Sequence, residues 1–377
     1  MNHVAFIIPG LDRIGGAERQ VILLAKGLRK RGWRVSVIAL SGTGGDSAAT
    51  LGAARVEFLT LEMRKGLADP RGWIRFHRWL KQESPDVLHA HLAHATWLAR
   101  WSRLAAATRV VIDTLHSSHT GTAGRRVGYR MSGWLSDEVT AVSHAVAQAH
   151  LASKMAHQIT VLPNGVDTLE YKPDSAARAA LRVELSLHQG FLWFAAGRLD
   201  PVKDYPTLLS AMAQLPPAAI LVIAGGGPCE NVLRKQAQSL GIEYRVRFIG
   251  VVPDVRRWMQ AADGFVLASR WEGLPMALLE SAACGLPAVA TKVPGTCEAI
   301  LEGRTGWLTA PGDSRALAES MIQMMGTPVE VRETMGRQAR NFVLDHFSLD
   351  SVLDRWEAHY QRLLLSKPKP SRHGKAE

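Results

Sequence analysis

Two carboxylates lie eight residues apart in the segment SRWEGLPMALLESAACGLPAVAT, residues 269–291. Glu272 falls in a loop after an apolar strand, and Glu280 falls about two turns into the following helix. Sugar and ribose hydroxyls donate hydrogen bonds to carboxylates, so the pair could hold both ends of a sugar nucleotide. The amides of Gly273 and Leu274 would lie at a helix N-terminus, where the helix dipole favours an anion. A capping carboxylate with a buried ion pair explains the spacing equally well.

Two cations occupy comparable positions in the segment GRLDPVKDYPTLL, residues 197–209. Arg198 ends an apolar strand and Lys203 precedes a helix. Such a pair could bind a diphosphate and stabilise the negative charge that grows on it as a glycosidic bond breaks, without a metal ion. Surface or ion-pair roles for the two side chains stay open.

Two weaker signals lie near the ends of strands in the first half of the chain. Gly15 and Gly16, in GGAER, follow the first strand and open a helix, where glycine lets the backbone approach a phosphate. The segment is not a full GxGxxG fingerprint, and tight packing between strand and helix is the alternative. His116, in IDTLHSSHT, ends another strand and would point at the same cleft, although a lone histidine is more often structural.

The elements that position these residues alternate between strand and helix. The first half begins with a strand at 3–8 and a helix at 16–31, and a second alternation begins at FLWFAAGRL, residues 191–199. Strands separated by helices indicate βαβ units and a mainly parallel, doubly wound sheet. Two Rossmann-like halves joined near 165–185 follow, with ligands expected outside the carboxyl ends of the strands.

Composition indicates a globular protein of the cell interior. The 377 residues are 47% hydrophobic, which is enough for two cores. Cys229, Cys284 and Cys297 lack metal-ligand spacing and suit a reducing compartment. The N-terminal VAFIIPG is too short for a signal peptide, and no apolar run reaches the roughly 18 residues of a membrane span. We therefore expect a cytoplasmic protein.

The net charge of +11 is concentrated in residues 1–165, which contain 21 Lys and Arg against 11 Asp and Glu. A field of this sign attracts anionic lipid, a phosphorylated acceptor or nucleic acid. Tryptophan and arginine are mixed in 71–81, 97–104 and 124–134, which could rest on an anionic membrane and gain about 1 kcal/mol per basic side chain. The alternative is a core-facing apolar stripe backed by a solvated cationic face.

Taken together and in this order, the segments resemble the retaining glycosyltransferases of family 4, the group 1 transferases with the GT-B fold. The resemblance covers most of the chain. It is carried by GGAER, the strand-end His116, PNGVD, GRLDPVKD, AGGGP, the pair Glu272 and Glu280, and GRTGWL.

The resemblance implies two Rossmann-like doubly wound domains facing across a cleft. The N-terminal, acceptor-binding domain would comprise residues 1–170 and a last helix at about 350–366 that crosses back to it. Residues 171–349 would form the C-terminal, nucleotide-sugar-binding domain. We expect a disordered tail at 367–377, because SKPKPSRHGKAE is polar and contains proline.

The resemblance also implies roles for the donor-binding residues. Glu280 would bind the donor ribose, while Glu272 and its adjoining loop would bind the donor sugar. Val251 or Val252, in FIGVVPDV, would line the nucleobase pocket through backbone contacts.

The remaining roles concern the diphosphate and the reaction centre. Arg198 and Lys203 would hold the diphosphate, helped by the backbone of Gly15 and Gly16. His116 would hydrogen-bond the transferred sugar near the reaction centre.

The implied activity is metal-independent, retaining hexosyl transfer from a nucleoside-diphosphate sugar, UDP-hexose by default, with no cofactor. The absence of an Asp-x-Asp motif agrees with metal independence. The acceptor would be a lipid-linked or lipopolysaccharide-type glycan at the inner face of the cytoplasmic membrane. The chain departs from the family at VPGTCEAI, where Pro294 and Gly295 stand in place of a glycine pair before Glu298, and we expect a helix over 296–302.

Two functions from other classes compete with this interpretation. A sugar-nucleotide epimerase of related fold would need an acid and a base around the sugar C2, and the sequence offers no independent set. A noncatalytic nucleic-acid-binding protein would use the basic half, but no helix-turn-helix, RNP aromatic set or zinc motif supports base readout. We therefore expect no nucleic-acid partner.

Overall fold

The computed structural model describes all but a few short segments of the chain: residues 1–12, 14–64, 67, 69–106, 108–185 and 190–367. The chain divides into two compact units, one formed by Met1–Gly165 with Leu349–Glu377 and the other by Val166–Ser348. Most of the tail expected to be disordered, from residue 368 onward, lies outside the described residues.

The first unit is a parallel sheet whose strands alternate with helices, and it ends with a helix from the C-terminus of the chain. Over the described residues its strands run in the order β3-β2-β1-β4-β5-β6-β7, and every pairing is parallel. Its elements are β1 His3–Ile8, α1 Gly16–Lys30, β2 Arg34–Ala39, α2 Gly45–Ala53, β3 Glu57–Thr60, α3 Pro70–Glu83, β4 Val87–His91, α4 Ala93–Ser102, β5 Val110–Leu115, α5 Ala123–Met131, β6 Glu138–Ala141, α6 His144–Ala152, β7 Thr160–Val161 and, near the C-terminus, α15 Leu349–Ser366.

The second unit repeats this architecture. Its described strands run in the order β10-β9-β8-β11-β12-β13, again all parallel. Its elements are α7 Ser175–Glu184, β8 Phe191–Ala196, α8 Tyr205–Met212, β9 Ala219–Ala224, α9 Glu230–Ser239, β10 Val246–Gly250, α10 Arg256–Ala261, β11 Gly264–Leu267, α11 Met276–Ala283, β12 Ala288–Thr291, α12 Pro294–Cys297, β13 Gly306–Thr309, α13 Ser314–Gly326 and α14 Val329–Phe347.

The residues explain these elements locally. The central strands β1 and β8 are buried along their whole length, as expected for strands covered by helices on both faces. Several helices begin at a side-chain cap: the Ser143 hydroxyl accepts from the Val146 amide at 3.1 Å, and the Asp174 carboxylate accepts from the Ala177 amide at 2.9 Å. Each cap satisfies an amide that the first helical turn would leave unpaired.

The C-terminal helix α15 belongs to the first unit, as the family resemblance predicted. Its buried face, including Trp356 and Tyr360, joins the core cluster that contains β1 and α1. The helix approaches α1 closely at Gly27, where an added Cβ would lie 2.4 Å from Leu353 Cδ1. Glu357 accepts from the Trp33 indole at 2.8 Å, which fixes the helix at its exposed side.

Three local sequence expectations need correction. Helices α2 and α7 were not expected, because Gly45–Ala53 is rich in glycine and small residues and Ser175–Glu184 was assigned to the segment joining the halves. The helix expected over 296–302 is α12, which covers only Pro294–Cys297.

We expect opposite effects from two glycine-to-alanine substitutions, one at the contact of α1 with α15 and one in α2. Gly27→Ala should destabilise the protein by about 1–3 kcal/mol, because the new methyl group overlaps Leu353. Gly52→Ala, in α2, should stabilise it by about 0.5–1 kcal/mol, since nothing lies within 4 Å of the new Cβ. Urea-unfolding midpoints of both variants test this. Equal midpoints would contradict the close approach of the two helices.

Candidate active site

The predicted donor-binding residues of the second unit gather at one edge of its sheet. Arg198 and Lys203 follow β8, and Glu272 follows β11, the strand directly beside β8. The strand order reverses at this pair of strands, since β9 leads away on one side and β12 on the other. In doubly wound sheets, ligands bind outside the carboxyl ends of the strands at such a reversal.

Lys203 and Glu272 contact each other directly. The Lys203 ammonium donates to Glu272 Oε1 at 2.6 Å, and the Ser269 hydroxyl donates to the same oxygen at 2.6 Å. Glu272 is 9% exposed, so its charge depends on these donors. The Lys203 side chain lies against Gly197, where φ is 158° and a Cβ would stand 3.3 Å from Lys203 Cε. The loop after β8 thus places the Lys203 ammonium group against the loop after β11.

Arg198 has a different environment. Its side chain is 73% exposed, and Nε donates to Asp200 at 2.8 Å. An exposed pair of this kind contributes little to stability, about 0–1 kcal/mol. Among the residues that the structure describes, Asp200 is the one side chain paired with the Arg198 guanidinium, so the guanidinium can turn toward an anionic ligand at small cost.

The loop and helix after β11 complete this edge. Glu280 lies in α11 and is 5% exposed, and Leu274 in the preceding loop is also buried. Gly295, in α12, supports the loop from the other side. A Cβ at this position would lie 2.6 Å from the Gly273 carbonyl oxygen and 2.7 Å from that of Glu272. Sequence reasoning missed this role, although the glycine of VPGT was the available signal.

The two valines assigned to the nucleobase pocket lie in the loop after β10. Val251 is 82% exposed, whereas Val252 is half-buried. A Cβ on Gly226, in the AGGGP segment after β9, would stand 3.2 Å from Val251 Cγ2. The two loops are therefore adjacent, and glycine at 226 leaves room beside the valine.

The glycine pair of the first unit begins α1. Gly15 is the N-cap residue and Gly16 the first helical residue, and both are exposed. The Gly15 amide donates to Glu18 Oε2 at 3.0 Å. The Glu18 carboxylate thus binds the Gly15 amide, which the family resemblance assigns to a phosphate of the donor.

His116 follows β5 and meets a second histidine. His91 ends the neighbouring strand β4, and its Nδ1 lies 2.8 Å from His116 Nε2. His91 is fully buried, while His116 keeps partial exposure. Sequence reasoning did not single out His91, although a histidine at the end of an apolar strand was visible in VLHAH.

Both histidines are neutral at pH 7. Burial lowers the pKa of His116 to about 4. The pKa of His91 lies well below its usual value, first because of burial and then because of the charges that His89 and His116 would carry. A neutral imidazole donates from one ring nitrogen and accepts at the other.

The mixed tryptophan and arginine stretches divide between core and surface. In α3, Phe76 and Leu80 are buried, and the Trp73 indole donates to the Leu67 carbonyl at 2.8 Å. The stripe of 71–81 therefore faces the core, the alternative that the sequence left open. At the end of α5 the side chains of Met131 and Trp134 are instead 72% and 71% exposed. Over the described residues, none of the helices combines the length and apolar character needed to cross a bilayer.

Comparisons with known proteins agree on the fold and the family. A crystal structure of Anabaena Alr3699/HepE in complex with UDP and glucose matches with a TM-score of 0.84 at 23% identity, over 96% of this chain and 100% of that chain. The fold is thus GT-B, as predicted. The model for glycosyl transferases group 1 matches residues 179–342, and the model for glycosyltransferase family 4 matches residues 14–170.

Curated relatives are similar over most of their length. A GDP-mannose-dependent alpha-(1-6)-phosphatidylinositol monomannoside mannosyltransferase of Mycobacterium tuberculosis (strain CDC 1551 / Oshkosh) is 31% identical over 76% of this chain and 78% of its own. The lipopolysaccharide core biosynthesis glycosyltransferase LpsE of Rhizobium meliloti (strain 1021) is 26% identical over 94% of this chain and 97% of its own. The chain belongs to glycosyltransferase family 4 and is a glycosyltransferase.

The lowered pKa of His116 predicts a pH-dependent stability. Between pH 6.5 and about 4 the unfolded chain binds a proton at this histidine that the folded chain does not. The free energy of unfolding should therefore fall as the pH decreases through this range. From pH 7 to pH 5 the free energy of unfolding should fall in both proteins. We expect this fall to be roughly 1–2 kcal/mol smaller in His116→Asn than in the parent protein, allowing for the partial exposure of the ring.

Urea unfolding at both pH values measures the difference. His94→Asn is the control, because His94 is an exposed histidine of the same unit. It should keep the pH dependence of the parent. The same dependence in His116→Asn would contradict a lowered pKa at His116.

Proposed function

We propose that this glycosyltransferase transfers a hexose from a nucleoside-diphosphate sugar, with retention of anomeric configuration and without a metal ion, to a lipid-linked or lipopolysaccharide-type glycan. The observation that carries the proposal is the contact of Lys203 with Glu272, 2.6 Å between Nζ and Oε1, at the strand-order reversal of the second sheet. A cation and a carboxylate side by side suit a ligand in which a diphosphate adjoins a sugar.

The cations would act on the diphosphate. Lys203 and Arg198 neutralise its charge, and they do so most strongly as the glycosidic bond breaks and the leaving diphosphate gains charge. Diphosphate binding would separate Lys203 from Glu272. Glu272 is then available to accept hydrogen bonds from the donor sugar, together with the amides of Gly273 and Leu274.

The other donor contacts are distributed along the same sheet edge. Glu280 would accept hydrogen bonds from the ribose hydroxyls. It is 5% exposed, so little water reaches it to compete for these hydrogen bonds. The backbone of Val251 or Val252 would contact the nucleobase. The exposed position of Val251 against Gly226 supports this placement, because a flat base can lie on an accessible loop.

His116, Gly15 and Gly16 are the proposed contributions of the first unit. His116 would hydrogen-bond the transferred sugar. Gly15 and Gly16 would help to hold the diphosphate, and for this Glu18 must first release the Gly15 amide, to which it is bonded at 3.0 Å. A phosphate can displace the carboxylate, since both are anions that the helix N-terminus attracts.

We propose UDP-hexose as the first candidate donor and GDP-hexose as the second. The Anabaena structure contains UDP and glucose, while the mycobacterial relative is named as GDP-mannose-dependent. Backbone contacts from Val251 and Val252 can accept either base. The proposed acceptor class follows the names of the relatives, which include a lipopolysaccharide core transferase and a phosphatidylinositol mannoside transferase.

We also propose that the protein is cytoplasmic and that its first unit rests on the anionic inner face of the membrane. The excess of basic residues in 1–165 supports this, and so do the exposed side chains of Met131 and Trp134. Apolar side chains would enter the interface while neighbouring arginines bind lipid head groups.

A donor panel tests the proposed activity. The protein is mixed with UDP-, GDP- and ADP-sugars, and thermal stabilisation and sugar transfer are followed. One donor class should stabilise the protein by about 2.7 kcal/mol at a hundredfold excess over its Kd. Glu280→Ala should raise the Kd of that donor about tenfold or more, through loss of a hydrogen bond to a charged group. Lys203→Ala should mainly lower kcat, by roughly 100-fold to 1000-fold.

Arg337→Ala is the matched control, because Arg337 is an exposed arginine of α14 whose partners in the described part of the chain, Glu333 and Thr334, lie on the same helix. It should bind donor and turn over normally. Full activity of both Glu280→Ala and Lys203→Ala would refute the assigned roles. Stabilisation by none of the nucleotide sugars would refute the proposed donor class.

Membrane attachment is tested by flotation with vesicles of neutral lipid and of mixed neutral and anionic lipid. We expect recovery with the anionic vesicles and a loss of about tenfold in Met131→Ser/Trp134→Ser, because two exposed apolar side chains are removed. Tyr244→Ser removes an aromatic side chain of similar exposure from the second unit and should float normally. Equal recovery with neutral vesicles would count against the proposal.

A further inference from the structure

His91 links His116 to a buried polar network. Its ring lies against that of His89, with centroids 4.2 Å apart and the ring planes tilted by 37°. His89 is held at both nitrogens, with Nδ1 2.7 Å from the Tyr360 hydroxyl and Nε2 2.6 Å from the Thr114 hydroxyl. This network has one member, His116, to which the proposed function assigns a role, and its other members have none. Its only member with an accessible ring is His116, at the carboxyl edge of the sheet.

The two nitrogens of His91 have unequal environments. Nδ1 faces His116 Nε2 at 2.8 Å, whereas Nε2 is buried and has no hydrogen-bond partner among the residues that the structure describes. The residue that follows, Leu92, has φ 68° and ψ 154°, a conformation that costs a non-glycine residue about 1–3 kcal/mol. The surrounding structure therefore holds the end of β4 in this arrangement against its backbone preference.

The contact between the two rings contains one proton, because both imidazoles are neutral. If His116 Nε2 carried it, His91 would have to be protonated at Nε2, which would bury an N–H group without an acceptor. If His91 Nδ1 carries it, Nε2 is an unprotonated acceptor. Buried N–H groups without a partner are rarer in proteins than acceptors without one. The proton therefore belongs on His91 Nδ1.

His116 then accepts at Nε2 and carries its own proton on Nδ1. We propose that His91 is a positioning residue that holds His116 in this tautomer and orientation, so that His116 donates a hydrogen bond from Nδ1 to an oxygen of the transferred sugar. This inference rests on the proposed function. A neutral donor suits the reaction, because a cation would oppose the positive charge that develops at the anomeric carbon.

The tautomer can be measured without any donor. In nitrogen-15 spectra of histidine-labelled protein, His116, identified by loss of its signals in His116→Asn, should show a protonated Nδ1 and an unprotonated Nε2. In His91→Leu the Nε2–H signal of His116 should appear, since the ring has lost its donor. His91→Asn should restore the parental pattern, because the asparagine amide can donate in place of Nδ1.

Turnover separates positioning from folding. His91→Leu should lower kcat roughly 10-fold to 100-fold, by analogy with groups that orient metal-binding histidines, with little change in donor Kd. His91→Asn should stay within about threefold of the parent. His3→Asn is the control, because His3 is another buried histidine, bonded to Ser36 at 2.8 Å at the opposite edge of the sheet. It should change neither readout.

Each outcome decides between the two proposals. If His116 of the parent protein were protonated at Nε2, the inference about His91 would be wrong, while the proposed sugar transfer would stand. The inference about His91 would also be wrong if a folded His91→Leu variant had the same kcat as the parent protein. If no nucleotide sugar served as a donor while the expected tautomer was present, the proposed function would be refuted, and with it the effect of His91 on turnover.

Discussion

Parallel strand pairing is the constraint on which the site depends. All strands of a parallel sheet point the same way, so the loops that follow them meet at one edge. This places Lys203, after β8, within 2.6 Å of Glu272, after β11, although 69 residues separate them in the chain. The same constraint places His91, the last residue of β4, beside His116, which follows β5. Chemistry that is dispersed in the sequence is thereby collected in two groups.

The collected groups are electrostatically balanced before any ligand binds. Lys203 is paired with Glu272, Arg198 with Asp200, and the Gly15 amide with Glu18. Under the proposed function, an anionic ligand would exchange these partners instead of meeting unpaired charges. The histidines achieve balance in another way, because burial keeps them neutral.

Glycines allow these loops to approach one another. Gly197 leaves space for the Lys203 side chain, Gly226 for Val251, and Gly295 for the carbonyl groups of the loop after β11. Gly295 lies in VPGTCEAI, the segment at which the chain departs from the family pattern. The structure gives it a packing role that any side chain would disturb.

The sequence by itself determined the fold class, because alternating apolar strands and amphipathic helices allow few architectures other than doubly wound sheets. It also indicated Arg198, Lys203 and Glu272 after strand ends, and Glu280 in the helix that follows, since chemistry in this fold is collected near strand ends. Only the tertiary structure decided which of them touch, that 71–81 faces the core, and that His91 contacts His116. These facts depend on strand order and side-chain direction, which connect residues far apart in sequence and leave no local pattern to identify them.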